Sequence, residues 1–238
     1  MTELMNHGKL GIIVMNNCKA FGEKIEEHIL AMRGEKKGEK SYIIPVNEVR
    51  FSNGEGKVKL PDSVRGRDIY VITDVGNYSC TYNMFGYENR MGPDEHFQDL
   101  KRVLSAIGGK ANRVTVVMPL LYASRQHKRK GRESMDCAMA LKELENMGVN
   151  TIITFDAHDP TIHNAIPFTS FENCMATYST LKRFITTENL TDNKKLTVIS
   201  PDTGAMERAI FYANVLGVDV GMFYKRRDHS RVVNGKNP

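Results

Sequence analysis

Three features of this sequence predict an α/β fold, with a parallel sheet flanked by helices. Short apolar runs recur along it: LGIIVM at Leu10 to Met15, IYVIT at Ile69 to Thr73, VTVVM at Val114 to Met118 and TIITF at Thr151 to Phe155. Segments with apolar residues at helical spacing lie between several of them, and such alternation builds parallel sheets. The runs are nearly continuous rather than alternating, as expected of strands covered on both faces.

Each element has its own warrant. Leu10 to Met15 reads as the first strand. Phe21, Ile25, Ile29 and Met32 are spaced for one face of a helix over Phe21 to Met32. Tyr42 to Val46 is the second strand and Ile69 to Thr73 the third. Leu100, Val103, Leu104 and Ile107 set a helix over Phe97 to Ile107, and Gly108-Gly109 is its stop signal. Val114 to Met118 is a strand ended by Pro119. Ser134 opens a helix through Met147, closed by Gly148, and Thr151 to Phe155 is the next strand. A weaker boundary near Pro167 divides the chain into domains 1–166 and 167–238. Beyond it, a helix at Thr177 to Ile185, a strand at Leu196 to Ser200, a helix at Thr203 to Leu216 and a strand at Val218 to Phe223 follow. Lys36 to Lys40 and Thr191 to Lys195 read as solvated loops.

The 238 residues suit one large domain, or one domain and part of another, with a core of useful size. Hydrophobic residues make up 41% and charged residues 26%, ordinary for a globular protein. No apolar run is long enough to span a membrane. The start, with Glu3, His7 and Lys9, lacks a signal-peptide core, so a cytoplasmic protein is expected. Cys18, Cys80, Cys137 and Cys174 are far apart and form no CxxC pair, which argues against a zinc site or a disulfide framework. The net charge of +5 is concentrated in Arg125 to Arg132 (RQHKRKGR) and in a tail with Lys225, Arg226, Arg227, Arg231 and Lys236. Local clusters of this kind fit a polyphosphate as well as DNA. No nucleic-acid motif accompanies them, so no nucleic-acid partner is expected.

Ligands of open α/β sheets bind beyond the carboxyl ends of the strands, which singles out four places. Arg125-Gln126 follows the strand VTVVM and the turn PLLYAS. A guanidinium fork suits phosphate oxygens, but the pair equally fits a solvated basic loop. Asp156-Ala157-His158-Asp159 directly follows TIITF, where a carboxylate and an imidazole fit a divalent metal or its waters, or an ordinary turn. Ser200-Pro201-Asp202-Thr203-Gly204 is a strand–turn–helix junction suited to an anion or a metal. Taken alone, Asp202 is better read as a helix cap. Lys225-Arg226-Arg227 follows VGMFY, and residues two apart in an extended segment point the same way. Lys225 and Arg227 could neutralise charge on a transferring phosphoryl group, or form a basic surface turn. There is no P-loop, no kinase-type glycine loop, no GxSxG elbow and no HExxH.

In order and setting, these sites resemble those of the ribose-phosphate diphosphokinases (phosphoribosyl pyrophosphate synthetases), over most of the chain from about Val49 onward. RFSNGEGKVKLPDSVRGRD, Arg50 to Asp68, is similar to the family's adenine-contacting segment. The resemblance puts the ATP element on Asn53, Gly54 and Glu55, with Phe51 as its ring-stacking neighbour. The YARQ signature stands as Tyr122-Ala123-Ser124-Arg125-Gln126, with one inserted residue, and implies that Arg125 and Gln126 contact ATP. DxH is matched by Asp156 and His158, with His158 in the magnesium position. SPDxGG is matched from Ser200, with Asp202 in a second metal-linked position and Ala205 in place of the last glycine. KRR is matched by Lys225 to Arg227, implying a catalytic lysine at 225 and, at Arg227, a contact to ribose 5-phosphate and the transition state.

The resemblance implies a phosphoribosyltransferase-like fold and Mg2+-dependent transfer of the β,γ-diphosphoryl group of ATP to C1 of ribose 5-phosphate, releasing AMP. It also implies a homo-oligomer, dimer-based and commonly hexameric, in which a neighbouring subunit helps to clamp adenine. His127 replaces the aspartate usual after Arg-Gln, and QGFFDIP shortens to His163-Asn164-Ala165-Ile166-Pro167. The family's DDxxDTxGT-type ribose-phosphate loop is not found before Pro238. One complete domain and a partial second one are therefore expected, with low solubility or dependence on a partner. The alternative function is a non-catalytic nucleotide-binding relative or fragment that regulates a synthetase.

Overall fold

The computed structural model describes residues 7–36, 38, 40–129, 131–188 and 196–224. They fall into two compact units, Met1–Met175 and Ala176–Pro238. The first unit contains, in order, β1 (Leu10–Val14), α1 (Lys19–Arg33), β2 (Asn47–Arg50), β3 (Gly56–Lys59), β4 (Asp68–Ile72), β5 (Thr81–Met84), β6 (Tyr87–Arg90), α2 (Pro93–Ile107), β7 (Arg113–Val117), α3 (Asp136–Asn146), β8 (Thr151–Phe155) and β9 (Ser170–Cys174). The second contains α4 (Thr177–Glu188), β10 (Thr197–Ser200), α5 (Met206–Leu216) and β11 (Asp219–Met222).

The main sheet of the first unit runs β1-β4-β7-β8-β9, with every pairing parallel. One row of neighbours crosses it as Ile12, Tyr70, Thr115, Thr151 and Ser170. The apolar strand runs are buried on both faces: Ile13, Ile69, Val71, Val116 and Ile152 are all fully enclosed. Each such side chain stabilises the fold by about 1.5–3 kcal/mol relative to an exposed one. The fold class is therefore the parallel α/β architecture that the strand–helix alternation predicts.

The helices cover this sheet and are stopped by their glycines. Pro93 opens α2 at the position where its missing N–H is harmless. Glu95 Oε2 accepts from the Gly92 N–H at 2.6 Å. Phe97, Leu100, Val103, Leu104 and Ile107 form the buried stripe, and Gly108 ends the helix at φ 58°, in the left-handed region. Gly22 of α1 serves contact instead: a Cβ there would lie 2.3 Å from Val14 Cγ2 of β1.

Three expectations change. The strand expected at Tyr42 to Val46 is a single parallel bridge between Ile12 and Ile43. Pro45, with no N–H to donate, keeps this segment at the sheet edge. That edge is closed by Glu26 of α1, whose Oε1 accepts from the Tyr42 N–H at 2.7 Å and the Ile43 N–H at 3.1 Å. The hairpins β2–β3 and β5–β6 were not expected, because their short, largely polar strands are exposed or half-buried and carry little hydrophobic pattern. Finally, β9 pairs with β8 from Thr151↔Ser170 to Phe155↔Cys174, so Ser170–Cys174 join the first sheet and the units divide after Met175, not after residue 166.

In the second unit β10 and β11 are parallel neighbours joined through α5, which buries Ala209, Ala213 and Leu216. Among the described residues no helix is long and apolar enough to cross a membrane.

Candidate functional site

The carboxyl ends of β7 and β8 lie side by side because Val117 pairs with Ile153. The loops that follow carry two of the four predicted places. After β7 the chain turns through Leu121–Gln126: the Ser124 N–H donates to Leu121 O at 3.2 Å and the Gln126 N–H to Ala123 O at 2.7 Å. Ala123 has φ 51°, a left-handed conformation uncommon for a residue with a Cβ. The turn is braced from below, where the Tyr122 ring stacks on Phe97 at 4.3 Å between centroids and its hydroxyl donates to Asp94 at 2.7 Å. Burial, and then Asp94, push the Tyr122 phenol up to about 12, so it remains a donor at neutral pH. Gln126 O in turn accepts from the Cys137 N–H at the start of α3. The side chains of Arg125 and Gln126 are left at the exposed surface of the loop.

After β8, Asp156 also has positive φ, at 48°. Its N–H donates to Cys174 O at 3.0 Å, and the Ala157 N–H donates to Asn173 Oδ1 at 2.9 Å. This turn directs the chain toward the β7 loop, where the His158 N–H donates to Ser124 Oγ at 2.9 Å. The rings of His127 and His158 lie 5.2 Å apart, tilted by 57°. His127 Nε2 stands 3.2 Å from Asp159 Oδ2. Asp159 Oδ1 accepts from the Thr161 hydroxyl at 2.6 Å and the Thr161 N–H at 3.0 Å. Those two bonds, with a smaller contribution from His127, hold its carboxyl below the usual range. The structure thus brings Arg125, Gln126 and His158 into one neighbourhood.

The Phe51–Glu55 loop is held elsewhere, at the tip of β2–β3. The Phe51 N–H donates to Glu55 O at 2.8 Å, and the Gly54 N–H to Phe51 O at 2.9 Å. Asn53 and Glu55 are tied together by Asn53 Nδ2 to Glu55 Oε2 at 3.0 Å and by the Glu55 N–H to Asn53 Oδ1 at 3.1 Å. Gly54 needs to be glycine because its φ is 89°, and Met84 Sδ of the next hairpin lies against it. The tip rests on the β5–β6 turn through the Phe85 N–H to Ser52 O, at 2.9 Å. Phe51 itself is 46% exposed, a pre-shaped ring open to a neighbour.

Asp202 lies in the second unit and caps the short helical turn before α5. Its Oδ1 accepts from the N–H groups of Gly204 at 3.0 Å and Ala205 at 3.2 Å. An anion at that helix start would compete with this carboxylate for the same donors. Lys225 and Arg227 lie outside the described residues.

Sequence reasoning gave no role to Ser124, His127 or Asp159. The signals were the extra residue inside the Tyr-Ala-Arg-Gln-like signature and the histidine after Gln126. Neither says what the side chain touches.

With this geometry in hand, comparison with known proteins is specific. The family model for the N-terminal domain of ribose phosphate pyrophosphokinase matches residues 10–148. A ribose-phosphate pyrophosphokinase of Oceanobacillus iheyensis is 26% identical over 242 residues, covering 100% of this chain and 66% of that protein. The Aquifex aeolicus protein of the same name is 29% identical over 182 residues, covering 74% of this chain and 52% of its own length. The Corynebacterium ammoniagenes protein is 25% identical over 233 residues, covering 97% and 64%. The chain therefore spans 52–66% of these relatives. Among solved structures, phosphoribosylpyrophosphate synthetase from Mycobacterium smegmatis superposes with a TM-score of 0.76 at 19% identity, over 92% of this chain and 65% of that one. At that identity the likeness speaks for the fold.

Proposed function

The chain belongs to the family of the N-terminal domain of ribose phosphate pyrophosphokinase, and from that premise we propose that it acts in Mg2+-dependent diphosphoryl transfer from ATP to ribose 5-phosphate. One observation carries the reading. Arg125-Gln126 and Asp156–His158 stand together at the carboxyl ends of adjacent parallel strands, joined by the Ser124–His158 hydrogen bond of 2.9 Å.

In this reading Arg125 and Gln126 hold the nucleotide, with the guanidinium on its phosphates. Phe51 stacks on adenine and Asn53, Gly54 and Glu55 line its edge. That loop is braced on its own hairpin and exposed outward, so it serves the site of a neighbouring copy in a homo-oligomer. Among the described residues no three His, Cys, Asp or Glu side chains converge as a metal cage. A hard cation takes most of its ligands from phosphate and water oxygens, and in the first unit His158 is the protein group that would hold it, with Asp202 in the second unit a separate candidate. Bound magnesium would supply charge neutralisation on the transferring group.

The C1 hydroxyl oxygen of the sugar attacks the β-phosphorus and gives up its proton to solvent, a new O–P bond forms, the bond to the oxygen bridging the α-phosphorus breaks, and AMP leaves. Lys225 and Arg227 would neutralise the charge that develops, and positioning supplies the rest of the acceleration. A cytoplasmic setting, where ATP and reduced cysteines are at home, accompanies this reading.

The test is AMP release from Mg·ATP with and without ribose 5-phosphate, beside a Lys225→Ala variant. Release that needs both the sugar and Lys225 is the expected result. Release indifferent to the sugar overturns diphosphoryl transfer. Binding of Mg·ATP without any release would reduce the chain to a nucleotide-binding relative.

A further inference from the structure

Three contacts tie the loop after β7 to the loop after β8, and all three run through residues to which the reaction assigns nothing. Ser124 Oγ accepts from the His158 N–H at 2.9 Å, which fixes the backbone of His158. The His127 ring lies 5.2 Å from the His158 ring and forms a wall beside it. Asp159 Oδ2 stands 3.2 Å from His127 Nε2 and fixes that wall.

The His127 side chain is only 9% exposed, and its Nδ1 is buried without a hydrogen-bond partner among the described residues. The ring's polar anchoring therefore comes from one side, through Nε2 and Asp159. Asp159 is in turn anchored by Thr161, through bonds of 2.6 and 3.0 Å, at the start of the helical turn Pro160–Ala165. A rigid element thus reaches across to the Arg125-Gln126 loop through a carboxylate and an imidazole.

We propose that Ser124, His127 and Asp159 form a clasp of positioning residues that sets His158 against Arg125-Gln126, so that a metal-bound triphosphate is met by both loops as one unit. None of the three needs to touch the ligand. The proposal rests on the nucleotide reading above. It goes beyond it in giving this chain a device built on the inserted Ser124 and on His127.

The experiment is calorimetric titration of the full chain with Mg·ATP and, separately, with ATP in excess chelator. The variants are Ser124→Ala, His127→Ala, Asp159→Asn, the His127→Ala/Asp159→Asn double, and His127→Gln. Residues that orient a metal-facing histidine typically change affinity by roughly 10-fold or more, so Ser124→Ala and His127→Ala are expected to weaken Mg·ATP by about that factor and metal-free ATP by less than about twofold. The double variant should be no weaker than the worse single, because both remove one interaction. His127→Gln, whose amide N–H can face Asp159, should recover most of the loss.

Wild-type affinity for Mg·ATP in both Ser124→Ala and His127→Ala overturns the clasp. Equal losses with and without metal overturn it as well, since a merely loosened loop behaves that way. Ser124→Ala removes a single oxygen and covers the case in which a histidine variant does not fold. An unaltered chain that binds no Mg·ATP overturns the nucleotide reading itself, and the clasp with it, a result distinct from unchanged variants.

Discussion

At the scale of single residues, burial decides what each polar group can do. Glu26 is buried yet tolerated, because its carboxylate accepts from Ser41 Oγ and from the N–H groups of Tyr42 and Ile43. Cys18 shows the opposite use of burial. Its thiol donates to Ile72 O at 3.1 Å, and desolvation pushes its pKa up to about 12. Cys137, buried in α3, is pushed up to about 11 by desolvation alone. Since the thiolate is the reactive form, Cys18 stays almost wholly protonated, and so unreactive, at pH 8. An alkylating reagent at that pH, read out by peptide mass spectrometry, is expected to leave Cys18 and Cys137 unlabelled in the folded chain and to label both in denaturant. Prompt labelling of Cys18 without denaturant would mean that the β1–α1 junction opens far more readily than its packing implies.

At the scale of elements, contact overrides propensity. Gly22 sits inside α1, where alanine would be favoured by about 1 kcal/mol on helix propensity alone. A Cβ at that position, however, would lie 2.3 and 2.4 Å from the two γ-carbons of Val14. Val14 is a β-branched residue held in β1, so relief requires the helix to move off the sheet, and overpacking of this kind costs about 1–3 kcal/mol. Gly22→Ala is therefore expected to lower the denaturant midpoint despite the gain in propensity. Pairing it with Val14→Ala should restore part of the loss. A rise in the midpoint for Gly22→Ala alone would show that α1 is packed more loosely than this contact indicates. At the tip of β2–β3 the backbone decides instead: Gly54 has φ 89°, a conformation that a residue with a Cβ rarely adopts.

At the scale of the whole molecule, the two units differ in how much apolar surface they enclose. The first has a sheet of five parallel strands whose central members β4 and β7 carry fully buried residues on both faces. Among its described residues the second has a two-stranded sheet, and Ile199, Phe211, Val215 and Met222 are each about half exposed. Stability is not uniform when burial is not, and regions with few buried apolar contacts open at lower free energy. Native-state hydrogen exchange is expected to show the amides of β4 and β7 as the slowest in the chain. Those of β10 and β11 should exchange faster by roughly 100-fold or more, equivalent to about 3 kcal/mol in opening free energy. Equal protection in the two sheets would mean that the second unit is stabilised by something its own burial does not supply.

The sequence by itself determined the fold class, the strands β1, β4, β7 and β8, and the helices between them, because runs such as VTVVM and TIITF and the 3.6-residue stripe of α2 are local statements of burial. It also placed Arg125-Gln126 and Asp156–His158 just beyond the ends of two strands, and those strands, β7 and β8, are neighbours in the sheet. The β2–β3 and β5–β6 hairpins were not legible, because their stability comes from cross-strand bonds and mutual bracing, as between Phe85 and Ser52, which leave no periodic hydrophobic trace. β9 was passed over because SFENC is an edge strand with mixed exposure, and only its pairing with β8 makes it a strand. Asp202 could be read from sequence as a cap or as a metal ligand, and its bonds to Gly204 and Ala205 are those of a cap. The clasp of Ser124, His127 and Asp159 belongs to tertiary structure alone. Its members come from two loops 32 residues or more apart, and only the parallel pairing of β7 with β8 and the left-handed turns at Ala123 and Asp156 bring them within hydrogen-bonding reach.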